Sequence, residues 1–114
     1  MTSVQNEAYV AGALVLAYTL QKHNPDLVSS TDLILVVPAD NDLTARSKER
    51  LEQVGWKLHH EEKVRIKGVP RHWSNHVKLR IWRWTQYKKL VWLDADCMVK
   101  GDISLLLSER YGII

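Results

Sequence analysis

From Glu7 to His23 apolar residues recur at helical spacing. Tyr9, Ala13, Leu16 and Leu20 form one line, and Val10, Leu14 and Ala17 widen it until nearly the whole circumference is apolar. The pattern predicts a helix covered on most sides. Asn24-Pro25-Asp26 ends it, because proline cannot continue a helix and restricts the residue before it. Leu33 to Val37 (LILVV) is an unbroken apolar run of strand length, the pattern of a strand buried on both faces. Pro38–Asp42 reads as a turn. A second helix is predicted over Leu43–Val54, with Leu43, Ser47, Leu51 and Val54 on one side, Asp42 as N-cap and Gly55 as left-handed C-terminal cap.

Short strands are predicted at Trp56–His59 and Lys63–Ile66, then a loop over Lys67–Trp73 containing Gly68 and Pro70. Ser74 or Asn75 caps a third helix running to about Tyr87, with Val77, Ile81, Trp84 and Lys88 down one face. Leu90–Leu93 (LVWL) reads as a second buried strand ending in Asp94-Ala95-Asp96, and Asp102 opens a helical turn through Ser104–Leu107. Strands alternating with helices predict an α/β fold with a mainly parallel sheet, as one domain over residues 1–114. Ligands of open α/β sheets bind beyond the carboxyl ends of the strands, and Asp94 and Asp96 stand at such an end.

Composition adds constraints. Apolar residues make up 46% and charged residues 25%, which argues for a folded globular domain. The single cysteine, Cys97, permits no internal disulfide, so a reducing, cytoplasmic setting is expected, with Cys97 as a small buried residue. The longest apolar stretch, Ala8–Leu20, is too short for a bilayer and lacks a basic flank, so neither a membrane span nor a signal peptide is predicted.

Charge is unevenly divided. Residues 1–62 carry 5 Lys and Arg against 9 Asp and Glu, whereas residues 63–114 carry 11 against 4. A basic half fits nucleic acid, a membrane surface or phosphate groups, or else a solvated face without a ligand. The Trp and basic cluster from Trp73 to Trp92 resembles a nucleic-acid surface, but tryptophans at helix and strand spacing are more simply core, and no nucleic-acid partner is expected. The scattered glycines exclude a glycine-rich phosphate cradle. His72 and His76 have no acidic or cysteine partner nearby and read as loop and helix-start residues. Asp40-Asn41-Asp42 is assigned to a turn and cap. Asp94-Ala95-Asp96 differs: in an extended segment, residues i and i+2 point the same way, so both carboxylates can converge on one hard divalent cation.

Three blocks carry a family resemblance. N-E-A-Y-V-x-G-A-L-V-L-A (Asn6–Ala17), K-L-R-I-W-x-x-T-Q-Y-x-K (Lys78–Lys89) and V-W-L-D-A-D-x-x-V (Val91–Val99) resemble glycosyltransferase family 8, whose members include glycogenin and galactinol synthase. The resemblance runs from about Thr2 to Leu107 and takes in the R-L-E-x-x-G helix end at Arg50–Gly55. It implies a GT-A-type, Rossmann-like nucleotide-diphospho-sugar transferase fold, and retaining transfer of a hexose from a UDP-sugar to a sugar or protein acceptor with Mn²⁺. By the same resemblance Asp94 and Asp96 coordinate the metal, the Ala95 backbone approaches the ribose, Asn6 and Tyr9 receive the uracil and ribose, and Lys78 reaches the diphosphate or sugar. No catalytic group is assigned.

The chain departs from the family pattern in two ways. The first strand is expected to be lacking, since Met1–Gln5 is short and polar. The C-terminal half, with a histidine as third metal ligand, would lie past Ile114. A fragment inactive by itself, with an uncovered strand edge that favours self-association, is therefore expected. The alternatives are a haloacid-dehalogenase-like phosphatase using Asp94 and Asp96, and a non-catalytic UDP-binding fragment.

Overall fold

The computed structural model describes residues 1–4, 7–38, 43–61 and 84–107. Strand β1 (Thr2–Ser3) leads through a 3-10 turn (Glu7–Tyr9) into helix α1 (Val10–His23) and a short helix α2 (Pro25–Ser29). Strand β2 (Ile34–Pro38), helix α3 (Ala45–Gln53) and strand β3 (Lys57–Glu61) follow, and a 3-10 turn over Ser104–Leu107 closes the described chain. The strands lie parallel in the order β1-β2-β3, with Thr2 opposite Leu35 and Ile34–Pro38 in register with Lys57–Glu61. The mixed α/β architecture with a parallel sheet agrees with the sequence reading. No described helix is long and apolar enough to cross a membrane.

β2 is buried on both faces, as its continuous apolar run requires. Leu35 and Val37 join Leu16, Ala17 and Leu20 of α1 and Leu51 of α3 in the main core, whereas Val36 packs on the other face with Met1 and Trp92. Trp56 closes the core from below α1, and its buried indole N–H donates to the Ala13 carbonyl at 3.0 Å. α1 is less covered than its composition suggests, since Val15 and Tyr18 remain exposed. Gly55 ends α3 at φ +115°, the left-handed value expected there.

Several boundaries differ, each for a local reason. The first strand, expected to be lacking, is present: its two backbone units pair with β2, Val4 N–H donates to Val36 O at 3.0 Å, and Thr2 and Val4 are fully buried. Two residues are too few to show a periodic pattern. Pro25 does not only stop α1; it opens α2, where its missing N–H costs nothing. α3 is capped by Thr44, whose hydroxyl accepts from Ser47 N–H at 3.1 Å; Asp42, the expected cap, lies outside the described residues. Trp84–Tyr87 form no helical end; Trp84 meets His59 edge-on at 4.4 Å, and Tyr87 donates to Asp32 at 2.7 Å. The rest of the expected third helix and the strand at Lys63–Ile66 lie outside the described residues.

Candidate functional site

Residues in a strand direct their backbone polar groups to alternate sides. Val4 bonds toward β2, so Met1, three residues earlier, bonds the opposite way. Its amine donates to Val91 O at 2.9 Å, and its carbonyl accepts from Leu93 N–H at 2.9 Å. These two bonds make one parallel step with Trp92 opposite Met1. The segment Val91–Leu93 therefore runs beside β1 on the side away from β2. It is extended but half-buried, not the buried strand expected, and among the described residues one step of pairing joins it to β1. The spatial order becomes 91–93, β1, β2, β3, and the direction of chain progression reverses at β1. Such a reversal opens a crevice at the carboxyl ends of the two neighbouring segments.

Asp94-Ala95-Asp96 lies at that crevice. The expected extended geometry is replaced by a turn, closed by Cys97 N–H donating to Asp94 O at 3.0 Å. Both carboxylates are exposed, so burial does not force a cation on them. Trp92 Nε1 donates to Asp94 Oδ1 at 3.1 Å, which fixes one face of that carboxylate. Cys97 is exposed rather than buried, since the turn directs it outward. Oxygen donors are the ligand type that hard divalent ions take, and two carboxylates supply only part of such a coordination shell. The described residues contain no cluster of three or more ligating side chains.

Helix α1 is the template on which this segment lies. At its start, Gly12 meets the Ala95 backbone so closely that a Cβ there would fall on the Ala95 carbonyl oxygen and 3.3 Å from its carbonyl carbon. Two turns later, the buried Thr19 hydroxyl donates to Leu16 O at 3.1 Å and accepts from Val99 N–H at 3.0 Å. At the end of the helix, buried Asn24 donates to Gly101 O at 3.0 Å and accepts from Ile103 N–H at 2.8 Å. Gly12, Thr19 and Asn24 thus clamp residues 95–103 in sequence. Sequence reasoning assigned them no role in the site, although Gly12 stands inside the first block as the small residue that permits close approach.

The opposite wall begins at Glu7. Its Oε1 accepts from Thr44 N–H and its Oε2 from the Ser47 hydroxyl, both at 2.6 Å. The Ser47 hydroxyl first, then the Thr44 amide, hold this carboxyl below its ordinary value. Tyr9 caps α1 by its backbone alone and is 46% exposed. Of the six predicted site residues, Tyr9, Asp94, Ala95 and Asp96 lie in the described structure, with Ala95 buried and the other three exposed. Asn6 and Lys78 lie outside the described residues, as does Asp40.

The sequence profile of Glycosyl transferase family 8 matches residues 2–110. The chain belongs to glycosyltransferase family 8. UDP-glucuronate:xylan alpha-glucuronosyltransferase 2 of Arabidopsis thaliana is 32% identical over 89% of this chain and 16% of its own length. Glycogenin-1 of Homo sapiens is 30% identical over 96% of this chain and 32% of its own length. Galactinol synthase 7 of Arabidopsis thaliana is 28% identical, over 96% and 33% respectively. This family 8 chain thus spans at most about a third of these relatives. Membership in family 8 takes the place of the phosphatase alternative.

A cavity of about 520 Å³ in the family 8 chain sits elsewhere, at the amino ends of the strands, among Leu20, Leu27, Ile34, Val91 and Leu106. Lys88, Lys89 and Asp32 also line it, but it lies away from the carboxyl ends, where ligands of open α/β sheets bind. The crevice beside Asp94 and Asp96 remains the candidate site.

Proposed function

We propose that this chain supplies the nucleotide-binding part of a UDP-sugar-dependent glycosyltransferase, with Asp94 and Asp96 as ligands for Mn²⁺. The reading rests on one observation above all: the D-x-D turn stands where the chain order reverses, with its backbone pressed onto Gly12 at the start of α1. Bound there, Mn²⁺ would supply a Lewis acid that neutralises charge on the departing diphosphate. The chain's own residues bind and orient. Trp92 turns Asp94, and the Ala95 backbone faces the ribose. Tyr9 and Asn6 receive the uridine, and Lys78 adds a positive charge to the phosphate region. The transferred group is a hexose, passed with retention of configuration to a sugar or protein. Because one relative's name specifies UDP-glucuronate, that donor belongs in a panel with UDP-glucose and UDP-galactose.

The test is thermal unfolding with UDP and each UDP-sugar, in Mn²⁺ and in EDTA. A ligand at about 100 times its Kd adds roughly 2.7 kcal/mol of apparent stability. Asp94→Asn and Asp96→Asn are expected to abolish the Mn²⁺-dependent gain, whereas Asp40→Asn leaves it intact. Equal stabilisation in EDTA would refute the metal bridge, and damage by Asp40→Asn alone would place the site at the other D-x-D.

A further inference from the structure

Helix α1 lacks a side-chain cap among the described residues. α1 begins at Tyr9 without any side-chain hydrogen bond at its N-cap, so local capping does not fix how the 3-10 turn sits on the helix. Glu7 stands in that turn, yet its carboxylate ignores the adjacent helix start. Both oxygens reach across 37 and 40 residues to Thr44 and Ser47, each at 2.6 Å. The two acceptors of one rigid group thereby meet two donors on one helix start, and charge-assisted bonds of this length are the strong ones. Thr44 and Ser47 are themselves joined, since Thr44 Oγ1 donates to Ser47 Oγ and accepts from Ser47 N–H, each at 3.1 Å. α3 starts after the carboxyl end of β2, whereas the Glu7 turn starts after the carboxyl end of β1. The contact therefore joins the two connections that border the crevice on the side away from Asp94.

We propose that Glu7 is a positioning residue whose carboxylate pins the Tyr9 turn to the start of α3 and so sets the nucleoside side of the site. The proposal rests on the nucleotide reading above and extends it to a residue that need not touch ligand. Because the carboxylate is solvent-exposed, the pin sets geometry more than it adds to global stability. Loosening it should weaken recognition of the nucleoside but not of the diphosphate, which depends on the distant turn at Asp94–Asp96.

The experiment compares UDP with inorganic pyrophosphate, both in Mn²⁺, by titration calorimetry on the full chain. Glu7→Ala should weaken UDP by roughly tenfold, the scale of one lost charge-assisted hydrogen bond, and change pyrophosphate by less than about twofold. Glu7→Gln, which can accept from Thr44 and donate to Ser47, should restore most of the UDP affinity. Ser47→Ala should weaken UDP on its own account and add nothing in the Glu7→Ala background, as expected for residues in one network. It carries the same test without altering the Tyr9 turn, should Glu7→Ala fail to fold. Equal loss for both ligands, unchanged UDP affinity, or additive effects of Glu7 and Ser47 would overturn the pin. A wild-type chain that binds neither ligand overturns the nucleotide reading itself, and that outcome is seen before any substitution is made.

Discussion

Gly12→Ala tests whether α1 places the D-x-D turn. An added Cβ would fall on the Ala95 carbonyl oxygen, 3.3 Å from the carbonyl carbon and 4.0 Å from Asp96 N. All three atoms are backbone, so no side-chain rotation relieves the contact, and the turn must retreat on the order of 1 Å. Overpacking of this kind costs roughly 1–3 kcal/mol. Replacing glycine by alanine inside a helix returns about 1 kcal/mol, leaving a net loss of about 0–2 kcal/mol. Melting should therefore fall by less than about 10 °C. Binding should suffer far more, because misplacement by about 1 Å costs on the order of 10²-fold in a positioned site. The assays are UDP affinity in Mn²⁺ and hydrogen exchange at Cys97 N–H, whose bond to Asp94 O closes the turn. Gly101→Ala is the matched control, since nothing among the described residues lies within 4 Å of a Cβ there. Unchanged exchange at Cys97 in Gly12→Ala, or equal damage from Gly101→Ala, would refute the argument.

Three other outcomes are expected. Asn24→Ala removes one donor and one acceptor from the segment at Gly101 and Ile103, and should cost about 2–3 kcal/mol in chemical denaturation. Thr2→Val should raise the melting temperature by the equivalent of about 1 kcal/mol, because the fully buried Thr2 hydroxyl has no hydrogen-bond partner among the described residues and valine keeps its shape. Glu7 is held below its ordinary value by Ser47 and Thr44, and Asp32 by Lys57 and Tyr87. Each contributes stability that is present above its unfolded value and lost as pH falls through its lowered one. Melting measured from about pH 5 to about pH 3 should show a decline that Glu7→Gln reduces.

The elements that the sequence revealed are those whose pattern is set by burial. LILVV is buried on both faces because α1 and Trp92 cover it, and the line Ala13, Leu16, Leu20 faces the core that Leu51 completes. Gly55 was readable because only its backbone conformation ends α3 there. What stayed hidden was decided by contacts distant in sequence. α3 is capped by Thr44, which the Glu7 carboxylate reinforces from across the crevice. β1 is two residues long, and Val91–Leu93 joins it through a step with Met1 and through packing of Trp92 on Val36. In the site, residue types pointed to Asp94 and Asp96, but the turn that carries them is closed by a backbone bond no spacing rule foretells. Tyr9 and Ala95 were marked only through the family blocks, and Gly12, Thr19 and Asn24 required the helix and the 95–103 segment to be seen together.

The clamps from α1 to residues 95–103 each join groups about 80 residues apart. Closing a flexible loop of that length costs about 4 kcal/mol before any contact offsets it. The strands β1 to β3 and their helices close through much shorter intervals. The turn bearing Asp94 and Asp96 is thus the part of the site with the largest entropic claim against it, and undocking should precede global unfolding. Measured nucleotide affinity then contains a hidden factor: the intrinsic constant divided by the fraction of molecules in which the turn is seated. A substitution on the buried side of α1, far from any ligand, can change that fraction alone, and saturating nucleotide would conceal the defect by drawing the turn back into place.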